Sequence, residues 1–262
     1  MSVFSSSSAT IVARLRAAGC VFAEDEAALL IGAADTPGGL DAMVERRVAG
    51  EPLEHVLGWA EFCGLRVVVE PGVFVPRPRT AFLIEQAVML ARDVAGTPVV
   101  LDLCCGTGAM AAAVAAGLER VEVHAADLDP AAVRCARRNL PAACVHQGDL
   151  YEPLPAALRG RVDVLIASPP YVPSESVGLL PPEARLHEPL TALDGGGDGL
   201  DVVRGVIAGA PAWLAPGGHL LVETGERQAE ATAEAMTSAG LSARAAYSDE
   251  LDATAVIGTR VP

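Results

Sequence analysis

From Thr80 onward the chain alternates short apolar runs with longer amphipathic ones, and this alternation limits the possible folds more than any other feature. Residues 99–103, 121–126, 143–146, 162–167, 219–223, 243–247 and 253–259 have the length and β-branched content of strands. Residues 107–116, 130–139, 200–213 and 227–239, lying between these runs, carry helical periodicity. Asp129 before Pro130 predicts a helix start, because an Asp side chain caps the first amides and proline fits the first helical position. Seven strands interleaved with helices imply an α/β fold around a mostly parallel sheet.

Upstream of Thr80 the pattern differs. Ile11, Leu15 and Ala18 form one helical stripe, Ala27, Leu30 and Ile31 a second, and Met43, Val44 and Val48 a third, so residues 11–57 read as three short helices. Gly19, the Thr36-Pro37-Gly38-Gly39 turn and Gly50-Glu51-Pro52 punctuate them. From Ala60 the pattern becomes strand-like, and the Val-rich residues 65–69, with a turn at Pro71-Gly72 before Val73, Phe74 and Val75, predict a hairpin. The expected organisation is a small helical domain over residues 1–58, a β-hairpin linker over 59–79 and the α/β domain over 80–262.

With 262 residues, 51% of them hydrophobic, the chain can bury a sizeable core, which excludes fibrous and disordered classes. No apolar run reaches the ~20 residues of a membrane span, and the Ser-rich stretch up to Thr10 lacks the basic and apolar regions of a secretory signal. A cytoplasmic protein with no membrane partner is expected. The 19 basic residues, all arginine, face 33 acidic ones for a net charge of −14, the wrong sign for a surface that tracks nucleic-acid phosphates. Cysteines 20, 63, 104, 105, 135 and 144 form no CxxC pair and no zinc spacing with histidine, so they read as mostly buried small hydrophobes and no metal is expected.

The first strand of the α/β region runs into Asp102-Leu103-Cys104-Cys105-Gly106-Thr107-Gly108, where small residues let backbone amides approach a ligand at a helix N-terminus. Asp127 closes the second strand, where a carboxylate would accept both hydroxyls of a ribose. A Gly-rich loop followed by an acid also suits a dinucleotide. S-adenosylmethionine fits better, because no third glycine completes GxGxxG and Asp102 sits where it can meet, directly or through water, the ammonium of an amino-acid-like tail. A third acid, Asp149, follows the third strand where an adenine amino group would lie, with Leu150 placed to cover the ring. The expected cofactor residues are Phe74, Arg77, Asp102, Cys104, Gly106, Thr107, Gly108, Asp127, Leu128, Asp149, Leu150 and Ser168.

The fourth strand ends in Ser168-Pro169-Pro170-Tyr171. Ligands of open α/β sheets bind outside the carboxyl ends of the strands, so this box should face the same crevice as the Gly loop. Its two prolines remove N–H donors and fix the backbone, which leaves the carbonyl oxygens of positions 168 and 169 to accept from a substrate.

The box resembles the Asn-Pro-Pro-Tyr motif of class I methyltransferases that modify planar amino nitrogens, and other segments narrow the likeness. Gly50-Glu51-Pro52-Leu53, Leu57-Gly58, Glu61-Phe62, Gly64-Leu65 and Pro71-Gly72-Val73-Phe74-Val75-Pro76-Arg77-Pro78 closely resemble the HemK/PrmC family of protein-(glutamine-N5) methyltransferases. So do Arg185, Glu188-Pro189, Ala192-Leu193-Asp194-Gly195-Gly196, Asp198-Gly199-Leu200 and Leu214-Ala215-Pro216-Gly217-Gly218. The resemblance implies a class I S-adenosylmethionine-dependent methyltransferase with a seven-stranded Rossmann-like sheet and a helical N-terminal domain that helps hold a protein substrate. It also implies catalytic roles for Ser168, Pro169, Pro170 and Tyr171. Two stretches depart from the family: Ser168 stands where it has Asn, and Pro78-Arg79-Thr80-Ala81 where release-factor enzymes carry acidic residues. Both departures resemble a side branch whose substrate is unassigned.

In the family the Asn oxygen and a box carbonyl accept from the two hydrogens of the target amide, whereas Ser168 offers a shorter hydroxyl that accepts one. The expected function is S-adenosylmethionine-dependent methylation of a glutamine side-chain amide in a protein or peptide, with release factors the less favoured acceptors. The alternatives are a methyltransferase acting on a small metabolite and a cofactor-binding protein without catalysis.

Overall fold

The computed structural model describes residues 5–140 and 145–261. It opens with four helices, α1 (Ser5–Ala17), α2 (Ala23–Ala33), α3 (Pro37–Val48) and α4 (Leu53–Leu57), one more than the apolar stripes predict. The Thr36-Pro37-Gly38-Gly39 run starts a helix rather than separating two: the Thr36 hydroxyl accepts the Gly39 N–H at 3.0 Å and Pro37 occupies the first turn. Leu15, Leu30, Leu40, Val44 and Val56 close a core of their own among these helices.

Strands β1 (Trp59–Phe62) and β2 (Leu65–Val68) pair antiparallel with Phe62 opposite Leu65. Their turn is Cys63-Gly64, not Pro71-Gly72 as the sequence suggests. Both residues have left-handed backbones, φ 49° and 74°, the conformation that matches the twist of a two-residue hairpin loop. Cys63 is thereby exposed, against the expectation of burial, whereas Cys20, Cys105 and Cys135 are buried. Residues 73–77 form no strand; they run as an irregular strap into α5 (Ala81–Arg92), a helix the sequence reading leaves out.

The remaining elements are β3 (Val99–Leu103), α6 (Ala109–Ala116), β4 (Glu122–Asp127), α7 (Pro130–Asn139), β5 (Val145–Gln147), β6 (Val162–Ala167), α8 (Pro182–His187), α9 (Asp201–Trp213), β7 (Leu214–Glu223), α10 (Ala229–Ser238), β8 (Leu241–Ser248) and β9 (Ala253–Arg260). Residues 143 and 144 of the third expected strand lie outside the described residues. The seven strands form one sheet in the order β5-β4-β3-β6-β7-β9-β8, parallel except that β9 runs antiparallel to both neighbours. Alternation along β3 sends Leu101 and Leu103 to the face covered by Val203, Val206 and Ile207 of α9. Val100 joins the opposite face, packed with Leu83, Ile84 and Ala87 of α5 and with Phe62 and Val67 of the hairpin.

The chain lays β4 and β5 on one side of β3, then returns to lay β6 on the other. The strand order therefore reverses between β3 and β6, and a crevice opens at their carboxyl ends.

Candidate active site

Leu103 pairs with Ala167, so the residues that follow them, Cys104 of the Gly loop and Ser168 of the box, leave the sheet side by side. The loop turns sharply there: Cys104, Gly106 and Gly108 have φ of 57°, 54° and 74°. Asp127, the last residue of β4, braces it. One carboxylate oxygen accepts the Gly106 N–H at 2.8 Å and the other accepts the Asp129 N–H at 2.9 Å. Burial raises the pKa of Asp127, and the Gly106 and Asp129 amides pull it back. A carboxylate has about four acceptor sites, so both oxygens can still take a ribose hydroxyl.

A cavity of about 510 Å³ opens over the loop. Of the expected cofactor residues, Phe74, Arg77, Cys104, Gly106, Thr107, Asp127, Leu128, Asp149, Leu150 and Ser168 line it. Asp102 and Gly108 do not. Gly108 faces α7 instead, where a Cβ would press on Leu140 and Ala136, so its lack of a side chain sets helix spacing. Asp102 lies fully buried inside β3 beneath the loop; one oxygen accepts the Ala111 N–H at 3.1 Å and Oδ1 has no partner. Burial, with a smaller push from the Asp127 charge, holds its pKa well above the usual carboxylate value. A buried acceptor left unsatisfied is rare enough to call for a ligand or water. The donor set fits S-adenosylmethionine: Asp127 and Asp149 line the cavity and an unpartnered acid lies below it.

A second cavity of about 370 Å³ adjoins the first and shares Phe74, Arg77, Ser168, Pro170 and Ala192 with it. Pro169 and Tyr171 line only this second space. The Ser168 hydroxyl makes no hydrogen bond among the described residues, nor do the carbonyls of Ser168 and Pro169, so the box carries three open acceptors, two of them on Ser168, which borders both cavities.

The Tyr171 hydroxyl accepts from Arg79 at 2.8 Å and donates to Glu223 at 3.3 Å. Burial and the Glu223 charge push its pKa up to about 12. Burial pulls the Arg79 pKa down, and the Tyr171 and Glu223 oxygens outweigh that pull, so Arg79 stays charged. Behind the box, Val172 donates to the Leu193 carbonyl at 3.1 Å and accepts from Gly195 at 2.9 Å, while Gln228 donates to the Tyr171 carbonyl at 2.9 Å. Cβ atoms at Gly195 and Gly199 would overlap the carbonyl oxygens of Pro170 and Tyr171.

Several contributors carry no signal that residue-by-residue reading detects. Phe62, Met110, Pro189 and Thr191 help line the first cavity. Glu188 and Glu223 are held by partners far away in the chain, Val75 and Arg77 for the first, Tyr171 and Arg79 for the second. Asn139, at the end of α7, accepts the Val68 N–H of β2 at 2.8 Å and donates to the Thr107 carbonyl of the Gly loop at 2.9 Å, tying hairpin to loop.

Residues 64–198 match the family described as the Methyltransferase small domain. The chain is 41% identical over 192 residues to a release factor glutamine methyltransferase from Geobacter sulfurreducens, a match covering 72% of this chain and 66% of that protein, just under two thirds of the relative's length. It is 35% identical over 257 residues to a release factor glutamine methyltransferase from Bradyrhizobium diazoefficiens, covering 88% of this chain and 86% of that one. The crystal structure of a methyltransferase from Pyrococcus furiosus shares the fold at a TM-score of 0.56 and 19% identity, over 76% of this chain and 90% of the other. Among the described residues no helix is long and apolar enough to cross a membrane. With its seven-stranded class I sheet and its two cavities meeting at a proline box, the chain belongs to the HemK/PrmC family of protein-(glutamine-N5) methyltransferases.

Proposed function

We propose that the protein transfers a methyl group from S-adenosylmethionine to the side-chain amide nitrogen of a glutamine in a cytoplasmic protein or peptide. The carrying observation is that the two cavities meet at Ser168, whose hydroxyl makes no hydrogen bond among the described residues. Bound in the larger cavity, the cofactor would supply an electrophilic methyl on a sulfonium. Asp127 and Asp149 would orient its ribose and adenine, and Asp102 would act on its ammonium from below.

An amide nitrogen is a weak nucleophile because its lone pair is delocalised into the carbonyl, so positioning must do most of the catalytic work. Ser168 Oγ and one carbonyl of the box, that of Ser168 or Pro169, accept the two N–H bonds of the amide, which holds its plane and turns the nitrogen toward the junction. Tyr171, fixed through its hydroxyl by Arg79 and Glu223, forms one wall of the acceptor space. A small-metabolite acceptor is the second reading, favoured by the short side chain at 168, which leaves room that an asparagine would fill.

The experiment is labelled-methyl transfer to glutamine peptides, purified release factors and a proteome extract, with products identified by mass spectrometry. Wild type should yield N5-methylglutamine. Ser168→Asn should raise the yield on a primary amide, and Ser168→Ala should lower the rate by the worth of one hydrogen bond, ~0.5 to 1.5 kcal/mol or up to about tenfold. Transfer confined to small molecules, with Ser168→Asn obstructing it, would favour the second reading. Equal rates for all three on a confirmed acceptor would remove residue 168 from the reacting group.

A further inference from the structure

The strap over residues 73–77 borders both cavities. Val73, Phe74, Pro76 and Arg77 line the larger, and Phe74 and Arg77 line the smaller as well. It has no regular structure, and a segment without its own hydrogen-bond ladder keeps one conformation only if other groups hold its backbone. At its start the Val73 carbonyl lies 2.8 Å from Nε2 of His55 on α4. Its middle and end are both held by one side chain, Glu188, which follows α8.

Glu188 is buried, its side chain 1% exposed, and neither carboxylate oxygen is idle. Oε1 accepts the Val75 N–H at 3.1 Å, and Oε2 accepts from Arg77 at 2.5 Å. The Arg77 guanidinium in turn sits 4.7 Å from the centre of the Phe74 ring. Burial raises the Glu188 pKa while the Arg77 charge and the Val75 amide lower it, so the anion depends on the strap as much as the strap depends on the anion. Glu188 also begins the Pro189 to Ala192 stretch, from which Pro189, Thr191 and Ala192 line the larger cavity.

We propose that Glu188 is a positioning residue for methyl transfer: its single carboxylate sets the Val75 backbone and the Arg77 guanidinium, and through them the wall that donor and acceptor share. The proposal rests on the methyltransferase reading. Glutamine at 188 keeps an acceptor for Val75 but cannot pair with Arg77, so it separates the two contacts. Glu188→Gln should weaken S-adenosylmethionine binding about tenfold, as loss of one charge-assisted hydrogen bond does. Arg77→Met should weaken it similarly.

The test is calorimetric binding of S-adenosylmethionine and S-adenosylhomocysteine to the full-length wild type, both single variants and the double variant, with amide hydrogen exchange at Val75. If Glu188 acts through Arg77, the double variant loses no more than the worse single variant, whereas independent roles multiply to about a hundredfold. Val75 exchange should stay slow in Arg77→Met and quicken in Glu188→Asp, whose shorter side chain keeps the charge but cannot reach both partners. That second comparison carries the test if Glu188→Gln does not fold. Wild type that binds neither ligand overturns the methyltransferase reading. Wild type that binds, with multiplicative losses or with Val75 exchange unchanged in Glu188→Asp, overturns the positioning role alone.

Discussion

Asp102 illustrates how a single residue can cost stability and still be kept. Its Oδ1 is buried without a partner, and leaving such an acceptor unsatisfied costs ~1 to 3 kcal/mol, more when it is charged. The carboxyl ionises near ~3.9 in the unfolded chain and well above that in the fold, so the stability linked to its protonated form is fully present below the unfolded value. That stability is lost as pH rises through the folded value. Asp102→Asn keeps an acceptor for the Ala111 N–H and removes the charge. The cofactor-free variant should therefore melt above wild type at neutral pH, with the gap closing on acidification toward pH ~4, and should gain less from added S-adenosylmethionine. Thermal melts across that pH range with and without cofactor measure both; a variant no more stable than wild type at neutral pH contradicts the account. The sequence places Asp102 correctly at the end of the first α/β strand, yet it conceals depth. Asp102 still belongs to β3 and points under the loop, while Asp127 ends β4 and Asp149 stands beyond β5, at the cavity. Nor could the pairing of Tyr171 with Arg79 and Glu223 be read, because residues so far apart in the chain meet only once the strands are ordered.

Among elements, those built on strong local signals match the sequence reading. The Asp129 cap and Pro130 start α7 as expected, with the Asp129 side chain accepting the Ala131 N–H at 2.8 Å. The hairpin turn is misplaced because Pro71-Gly72 is the stronger local turn signal, whereas Cys63-Gly64 is favoured by strand register, Phe62 against Leu65. The loop between Asp194 and Leu200 is legible as a glycine cluster but not as a support. Gly195 lies against the Pro170 carbonyl and Gly197 faces open space, so the same substitution in one loop should have opposite outcomes. Gly195→Ala should push the box backbone, costing ~1 to 3 kcal/mol of stability and cutting methyl transfer by more than about tenfold. Gly197→Ala should behave as wild type. Denaturant melts and transfer rates on a shared acceptor decide it, and equal behaviour of the two variants would show that the loop does not support the box.

For the whole molecule, the hairpin's place decides where a functional unit can begin. As a linker over residues 59–79 it would be dispensable for cofactor binding, and the α/β part alone should bind. Its packing argues otherwise: Ala60, Phe62, Val67, Val69 and Val75 share one core with Leu83 and Ile84 of α5 and with Val100, Val164 and Ile166 of the sheet. Phe62 and the strap form part of the wall of the larger cavity, and Asn139 fastens β2 to the Gly loop. The four N-terminal helices have a separate core, and their polar ties to the rest include His55 to Val73 and Arg47 to Glu183, the latter at 2.6 Å. We therefore propose that residues 59–262 fold and bind S-adenosylmethionine within a few-fold of the full chain. They should lose transfer to a polypeptide acceptor, because Pro52 and Glu54, which line the smaller cavity proposed to take the acceptor, go with the helices. Residues 80–262, stripped of Ala60 and four larger core side chains, should be destabilised by an amount comparable with the ~5 to 15 kcal/mol that holds a typical domain together, since each large apolar group lost from a core costs ~2 to 5 kcal/mol. Circular dichroism and calorimetry on the two truncations test this. Full-affinity binding by residues 80–262 would return the hairpin to the role of a linker, and full activity of residues 59–262 on a polypeptide would remove the helices from acceptor binding.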